Sequence, residues 1–130
     1  STVKTATSGD YIGSVTVKLA TDKETVLVSG ALIAKGVKRI VKVNGFNTSI
    51  EPEEHMLLVP HENKPSMIAK VSTVIGEANI NINHMSVSPN EEKNLSMMVI
   101  ATGSEVDAET LAKINEIDGI QHAKYVHLGK

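Results

Sequence analysis

The sequence contains no cysteine and no tryptophan, and its single arginine is Arg39. Without cysteine, disulfides, thiolate nucleophiles and cysteine-based metal sites are excluded. With a net charge of −2 and one arginine, no basic face is able to neutralise a run of phosphates, so we expect no nucleic-acid partner. The longest apolar runs are far shorter than the about 20 residues that cross a bilayer, and no signal pattern is present. We therefore expect a cytoplasmic protein with no membrane partner.

Aromatic residues are also scarce, being limited to Tyr11, Phe46 and Tyr125. The composition is 41% apolar and 22% charged, which is typical of a globular protein. The core must then be built from Val, Ile, Leu and Met. Because small aliphatic cores often need a partner to bury enough surface, we expect a homo-oligomer.

The first 54 residues have the pattern of strands and turns. Two apolar stretches separated by a turn-like segment predict a hairpin, and two more flank Asn44-Gly45, the dipeptide that most readily supplies positive φ at both centres of a tight turn. We predict a meander of about four antiparallel strands without a helix. The four apolar stretches are 12–19, 26–34, 40–43 and 46–50.

A charged segment that contains the first proline, Glu51-Pro52-Glu53-Glu54, separates a strand-and-turn pattern from a pattern of alternating strands and helices. We place a domain boundary there. This gives a β-rich segment over residues 1–54, which we expect to be the end of a larger domain, and a second domain over residues 55–130.

The second domain opens with an apolar run, 56–59, that predicts a central strand ended by the Pro60 to Pro65 segment. Pro65 suits the first position of a helix, and Asn79, which tolerates the left-handed conformation, suits its end. One face of this helix is apolar. Its members are Met67, Ile68, Val71, Val74, Ile75 and Ala78.

The remaining elements complete an α+β arrangement. Ile82 and Met85 fall on opposite parities, which predicts a bulge near Asn83-His84 before a polar hairpin loop at 89–94. Asp107 can cap a second helix that ends at Asp118-Gly119. With strands at 95–100 and 120–128, residues 55–128 read βαββαβ, the ferredoxin-like fold with two helices on one face of a four-stranded antiparallel sheet.

Two adjoining stretches resemble known regulatory sequences. LLVPHENKPSMIAKVSTVIGEANININHMSV, residues 57–87, resembles the first strand, effector loop, helix and second strand of ACT domains, which sense amino acids at subunit interfaces. GALIAKGVKRIVKVNGFNTSIEPEEHMLLV, residues 30–59, is similar to the junction between the intervening regulatory domain and the ACT domain of long-form D-3-phosphoglycerate dehydrogenases. The resemblance implies that residues 1–54 end the intervening domain and that residues 55–130 form the ACT domain.

The same resemblance implies a role in allosteric control of L-serine biosynthesis, with L-serine as the effector and a homo-oligomer joined through the ACT domain. Catalytic residues and the NAD cofactor would lie in domains outside this chain, which has no G-x-G-x-x-G motif of its own. The regulatory end of iron–sulfur L-serine dehydratases is an alternative. It usually has a glycine cluster where this chain has Ala-Leu-Ile-Ala-Lys-Gly at 31–36, which favours the dehydrogenase. A free-standing ACT sensor is a third reading.

In the family, serine is held by the loop after the first strand and by an asparagine from the neighbouring domain. The matching residues here are His61, Asn63 and Asn81, and the helix start at Ser66, Met67 and Ile68 offers backbone N–H groups to a carboxylate. The alternative is that Asn63 only caps the helix and that His61 is a surface residue at a strand end. Ser66 and Asn79 stand where the family commonly has glycine.

Three further groups of side chains are possible sites: basic residues, histidines and methionines. Lys35, Lys38 and Arg39 could bind an anion, although the family's other basic positions are Phe46 and Glu51 here; a solvated basic strand edge is the alternative. No two of the five histidines have a recognised ligand spacing, so we expect no metal site. The methionines at 85, 97 and 98 are typical of core packing.

Overall fold

The computed structural model describes the backbone of residues 2–6, 13–20, 25–34 and 37–128, and the side chains of residue 40 and residues 42–128. The chain forms two compact units, Ser1–Pro52 and Glu53–Lys130. The division falls inside the charged segment 51–54.

The first unit is a five-stranded antiparallel meander in which each strand pairs with the next along the chain. Four of the strands match the predicted apolar stretches. The additional strand, Thr2–Ala6, has the sequence TVKTA, which lacks the alternation that marks a half-buried strand. The strands are β1 Thr2–Ala6, β2 Gly13–Ala20, β3 Thr25–Ala34, β4 Val37–Val43 and β5 Phe46–Ile50.

The turn between β4 and β5 confirms the prediction made from Asn44-Gly45. Asn44 has φ 49° and Gly45 has φ 85°, the backbone that a two-residue hairpin loop requires. Val43 and Phe46, which flank the turn, are paired and both buried.

The second unit has the predicted βαββαβ order and is an α+β ferredoxin-like fold. Its antiparallel sheet has the order β7-β8-β6-β9, so that β6 and β8 are central and β7 and β9 are the edges. The elements are β6 His55–Glu62, α1 Met67–Glu77, β7 Ile82–Asn90, β8 Leu95–Thr102, α2 Ala108–Asn115 and β9 Lys124–His127.

Strand β6 runs further than predicted, through Pro60 to Glu62. Its regular pairing with β9 ends at Leu58. Pro60 accepts a hydrogen bond from the backbone N–H of Gln121 but has no N–H to return, so the proline stands where the ladder on that side has already ended.

Helix α1 ends at the predicted left-handed Asn79, which is part of a Schellman motif. Asn79 has φ 63° and donates its N–H to Gly76, while Ile80 donates to Ile75. These two bonds satisfy carbonyls that the helix end would leave unpaired. The predicted bulge in β7 is also confirmed by a register shift between Ile82 and His84.

The end of the second unit differs from its prediction. Asp107 does cap α2, accepting the Thr110 N–H at 2.8 Å, but the helix ends at Asn115, before the predicted Asp118-Gly119. The last strand is only Lys124–His127. The reason is His122, whose φ of 73° interrupts an extended chain, so that Ile120 makes only an isolated bridge to His61.

The core on the helical side of the sheet is aliphatic, as the scarcity of aromatic residues predicts. Of the predicted apolar face of α1, Met67, Val71 and Ile75 are buried, but Ile68 is 45% exposed and Ala78 is also exposed. Met97 and Met98 are core residues, and Met85 is half-buried. The buried cluster comprises Leu57, Val59, Val71, Ile75, Met98, Ile100, Val106, Ile114 and Ala123.

Two substitutions at the end of α1 should change stability in opposite directions. Gly76→Ala should stabilise the protein by about 0.5–1 kcal/mol, because a Cβ there meets nothing within 4 Å and glycine weakens a helix. Asn79→Ala should cost about 1 kcal/mol, because alanine tolerates a positive φ less well than asparagine. Urea unfolding followed by circular dichroism measures both. A shift of the same sign for both variants would contradict this account of the helix end.

Candidate functional site

A loop formed by the last residue of β6 and its connection to α1, residues 62–66, is tied to two neighbouring segments by its backbone. We call it the 62–66 loop. Glu62 donates its N–H to the carbonyl of Gly119 at 2.8 Å, and Asn63 donates to the carbonyl of Asn94 at 3.4 Å. The loop is therefore attached both to the segment after α2 and to the turn between β7 and β8.

An ion pair also attaches the loop to the segment after α2. The Lys64 Nζ donates to Asp118 Oδ2 at 3.0 Å and lies 3.7 Å from Glu62 Oε1. The hydrogen bond with Asp118 is the main cause that raises the pKa of Lys64, and it lowers the pKa of the Asp118 carboxyl. Gly119 permits this contact, because a Cβ there would lie 2.8 Å from Lys64 Cε, and its own φ is 99°.

His61 lies within β6 and is 3% exposed, so the alternative that it is a surface residue is wrong. Its Nδ1 is 2.9 Å from the carbonyl oxygen of Val59. Because a carbonyl only accepts, Nδ1 must carry the proton. When the ring is neutral, Nε2 is then an acceptor.

Helix α1 begins at Met67 rather than at Pro65, and Ser66 is its N-cap residue. The alternative that Asn63 occupies the N-cap position is therefore wrong. Ser66 has φ 74° and makes no side-chain cap bond, and no acidic residue lies in the first turn. The first intrahelical bond near this end runs from the Lys70 N–H to the Ser66 carbonyl. The N–H groups before Lys70 are thus the ones a helix start leaves without an intrahelical partner.

The residues that replace the family's glycines both have a left-handed backbone. Ser66 has φ 74° and Asn79 has φ 63°. This conformation is the one that glycine adopts at least cost, which explains why glycine suits both positions. Ser66 is exposed.

Asn81 lies at the opposite end of α1 from the 62–66 loop. An 11-residue helix is about 16 Å long, and Asn81 follows its C-terminus. Asn81 is exposed, and its carbonyl accepts the Gly103 N–H at 2.9 Å. A single chain therefore brings His61 and Asn63 to one end of α1 and Asn81 to the other.

The predicted anion-binding residues lie in the first unit. Lys35 is outside the described residues, and Lys38 and Arg39 belong to β4 with side chains that are likewise outside the described part. Phe46 is buried and Glu51 is exposed. Anion binding by the three basic residues stays a prediction.

Two further features of the second unit involve residues other than the predicted effector residues. The first is a groove over the helices. The second is a convergence of Glu54, His55 and His127, whose ligand atoms all lie within 4.8 Å of one another. Sequence spacing missed this cluster, because only the register of β6 with β9 places His55 opposite His127. The groove is lined by Ala69, Lys70, Thr73, Val74, Ile117 and Asp118.

The second unit is a ferredoxin-like α+β domain with an exposed helix start beside a well-anchored loop. Residues 55–119 match the model of the ACT domain family, and the chain belongs to that family. ACT domains are regulatory modules. Within the described residues, no helix is long and apolar enough to cross a membrane.

Curated relatives extend the likeness beyond the ACT domain. The chain is 29% identical to D-3-phosphoglycerate dehydrogenase of Synechocystis over 96% of its own length and 23% of the relative's. It is 34% identical to the enzyme of the same name from Archaeoglobus fulgidus over 69% of its length and 18% of the relative's. It is also 26% identical to the probable L-serine dehydratase beta chain of Bacillus subtilis, over 80% of its length and 47% of that protein. The chain thus spans about a quarter or less of the two dehydrogenases.

The ion pair at the 62–66 loop gives a pH-dependent prediction. The pKa of Asp118 is lowered, so the pair's contribution to stability is present above the carboxyl's ordinary titration range and is lost as pH falls through its lowered pKa. Lys64→Gln should move the NMR titration of Asp118 upward, toward its ordinary range. Lys113→Gln, which removes a partner of Glu109 on α2, is the matched control and should leave Asp118 unchanged. An unchanged titration in Lys64→Gln would show that the pair is absent in solution.

Proposed function

We propose that this chain is the regulatory C-terminal segment of a D-3-phosphoglycerate dehydrogenase and that it binds L-serine between two ACT domains. The observation that supports this most is the extent of the match. The Synechocystis relative aligns over 96% of the chain, and so over both compact units and not over the ACT domain alone. On this proposal residues 1–54 end the intervening regulatory domain, residues 55–130 form the ACT domain, and NAD chemistry belongs to other parts of the parent enzyme.

The chemistry of the 62–66 loop suits an amino-acid zwitterion. The start of α1 offers backbone N–H groups and the positive end of the helix dipole to a carboxylate, and no acidic side chain in its first turn competes. Asn63 and Asn81 each supply an amide donor and an acceptor at neutral charge. The Nε2 of His61 adds an acceptor for the ammonium or hydroxyl group. Met67 and Ile68 contribute mainly through their backbone N–H groups.

The proposed site needs two chains, because Asn81 and Asn63 lie at opposite ends of α1. Strand β7 is an edge of the sheet and begins one residue after Asn81. Its other end leads into the turn whose Asn94 carbonyl accepts the Asn63 N–H. Antiparallel pairing of β7 with its copy would therefore bring the Asn81 end of one chain close to the 62–66 loop of the other.

Exposed apolar side chains support the same interface. Val87 on β7 is 38% exposed and Ile68 on α1 is 45% exposed, and both are large apolar residues. An edge strand with an apolar flank is a natural surface for self-association. Serine bound across this interface would favour the paired arrangement and so act on the distant catalytic domains as an allosteric effector.

A second candidate is the regulatory region of an L-serine dehydratase. The observation in its favour is the 26% identity over 80% of the chain to the Bacillus subtilis protein. Residues 31–36, Ala-Leu-Ile-Ala-Lys-Gly, contain one glycine, whereas the dehydratases usually have a glycine cluster at these positions. This difference favours the dehydrogenase. Both candidates use the same ACT site, and activity of the full-length parent on 3-phosphoglycerate separates them.

Complementation between two defective variants tests the shared site. Asn63→Ala and Asn81→Ala should each abolish the serine-dependent rise in melting temperature, which for wild type should reflect about 2.7 kcal/mol at 100 times the dissociation constant. A re-equilibrated 1:1 mixture of the two variants should recover serine binding at about a quarter of its sites, because each mixed dimer has one intact and one doubly altered site. Isothermal titration calorimetry counts these sites.

The control is Asn63→Ala alone, re-equilibrated in the same way, which should recover nothing because every one of its sites lacks Asn63. Loss of binding in both variants without recovery in the mixture would contradict a site shared between chains. Wild-type protein that shows no shift with L-serine would remove serine as the effector.

A further inference from the structure

A carboxylate and two imidazoles converge where β6 begins and β9 ends. His55 and His127 are directly opposite each other in the antiparallel pair. His127 Nε2 lies 2.8 Å from Glu54 Oε2, and His55 Nε2 lies 3.7 Å from the same oxygen. The backbone N–H of Leu128 donates to the carbonyl of Glu54 at 2.8 Å. The two imidazoles are therefore carried by paired strands, and Glu54 lies directly before the first of them, joined to β9 through the Leu128 hydrogen bond.

A second layer of contacts orients one of the imidazoles. His55 Nδ1 lies 2.7 Å from the Tyr125 hydroxyl oxygen, and the two rings are stacked with an interplanar angle of 16°. The His127 ring stacks on the other histidine at 11°. When Nδ1 carries the proton and donates it to the tyrosine oxygen, Nε2 presents its lone pair toward Glu54. Ligating histidines in metalloproteins commonly have such a partner on the second nitrogen.

We propose that Glu54, His55 and His127 bind a divalent transition-metal ion of the zinc class. Zinc binds imidazole nitrogen and carboxylate oxygen at about 2.0–2.2 Å, which separates neighbouring tetrahedral ligands by about 3.3 Å. The two measured separations, 2.8 and 3.7 Å, lie on either side of this value. Rotation of the exposed Glu54 and His127 side chains, which unstacks the His127 ring from that of His55, would bring the three ligand atoms from within 4.8 Å of one another into this range. Water would complete the coordination.

The donor set selects the class of metal. Two imidazoles and one carboxylate suit zinc, nickel or copper, whereas magnesium and calcium prefer sites made wholly of oxygen. The side chains of Glu54 and His127 are 61% and 54% exposed and that of His55 is 19% exposed, so an ion can reach the site from solvent.

The bound ion would link β9, the shortest strand of the sheet, to the start of β6. Strand β9 has four residues and lies at an edge, where β6 is its partner. An ion shared by Glu54 and His55 on one side and His127 on the other joins the first and last parts of the ACT domain. Because the ion binds the folded arrangement, it should also raise the stability of the domain.

The chain offers a matched control for this site. His84 Nε2 lies 3.2 Å from Glu53 Oε2, which is also a histidine–glutamate contact, but no second imidazole joins it among the residues that the structure describes. Calorimetric titration of the metal-free full chain with ZnCl₂ should give one ion per chain. His127→Gln should weaken zinc binding at least tenfold, Tyr125→Phe by about tenfold through loss of the oriented tautomer, and His84→Gln should leave it unchanged.

Two readouts keep the test independent of folding. Circular dichroism without metal should show that His127→Gln keeps the native fold, and NMR of the wild type should show zinc-dependent shifts of the His55 and His127 ring signals but not of His84. MgCl₂ should produce neither effect. Equal zinc affinity for wild type and His127→Gln, or ring shifts confined to other histidines, would overturn the proposal. Serine binding is measured separately, so failure of one proposal leaves the other unaffected.

Discussion

The central position of β6 is the constraint on which the rest of the second unit depends. This strand pairs with β8 on one side and with β9 on the other. Side chains on both of its faces are buried, Met56 and Leu58 on one face and Leu57 and Val59 on the other. Because β6 is paired on both sides, the positions of both of its ends are fixed. The first end carries His55, directly after Glu54, and the last end carries His61 and continues into the 62–66 loop.

Local chemistry explains what could be predicted from the sequence. Asn44-Gly45, Asn79 and Asp107 each act within a few residues, through a turn, a helix end and a cap, and all three have the predicted conformation or bond. The predictions that were wrong, for the lengths of β6 and β9, depend on residues that are distant along the chain. Pro60 continues a strand because β9 has already ended beside it, and β9 is short because His122 interrupts it. Neither cause is visible in a window of neighbouring residues.

The candidate sites follow the same rule. The sequence named His61, Asn63 and Asn81 through a family likeness, and the structure adds that α1 separates Asn81 from the other two. It did not name Glu54, His55 and His127, because histidine spacing is informative only along one element. Here the two imidazoles meet across strands, and their proximity is set by the register His55↔His127.

Ser66 shows how the loop keeps its shape without the family's glycine. A left-handed backbone at a residue other than glycine costs about 1–3 kcal/mol and persists where the surroundings over-determine it. The bonds from Glu62 to Gly119 and from Asn63 to Asn94, with the Lys64–Asp118 ion pair, supply that restraint. The backbone at the start of α1 can therefore match that of a glycine-containing relative. What changes is the exposed hydroxyl beside the helix start, so under the proposed function the substitution would act on ligand selection and not on the fold.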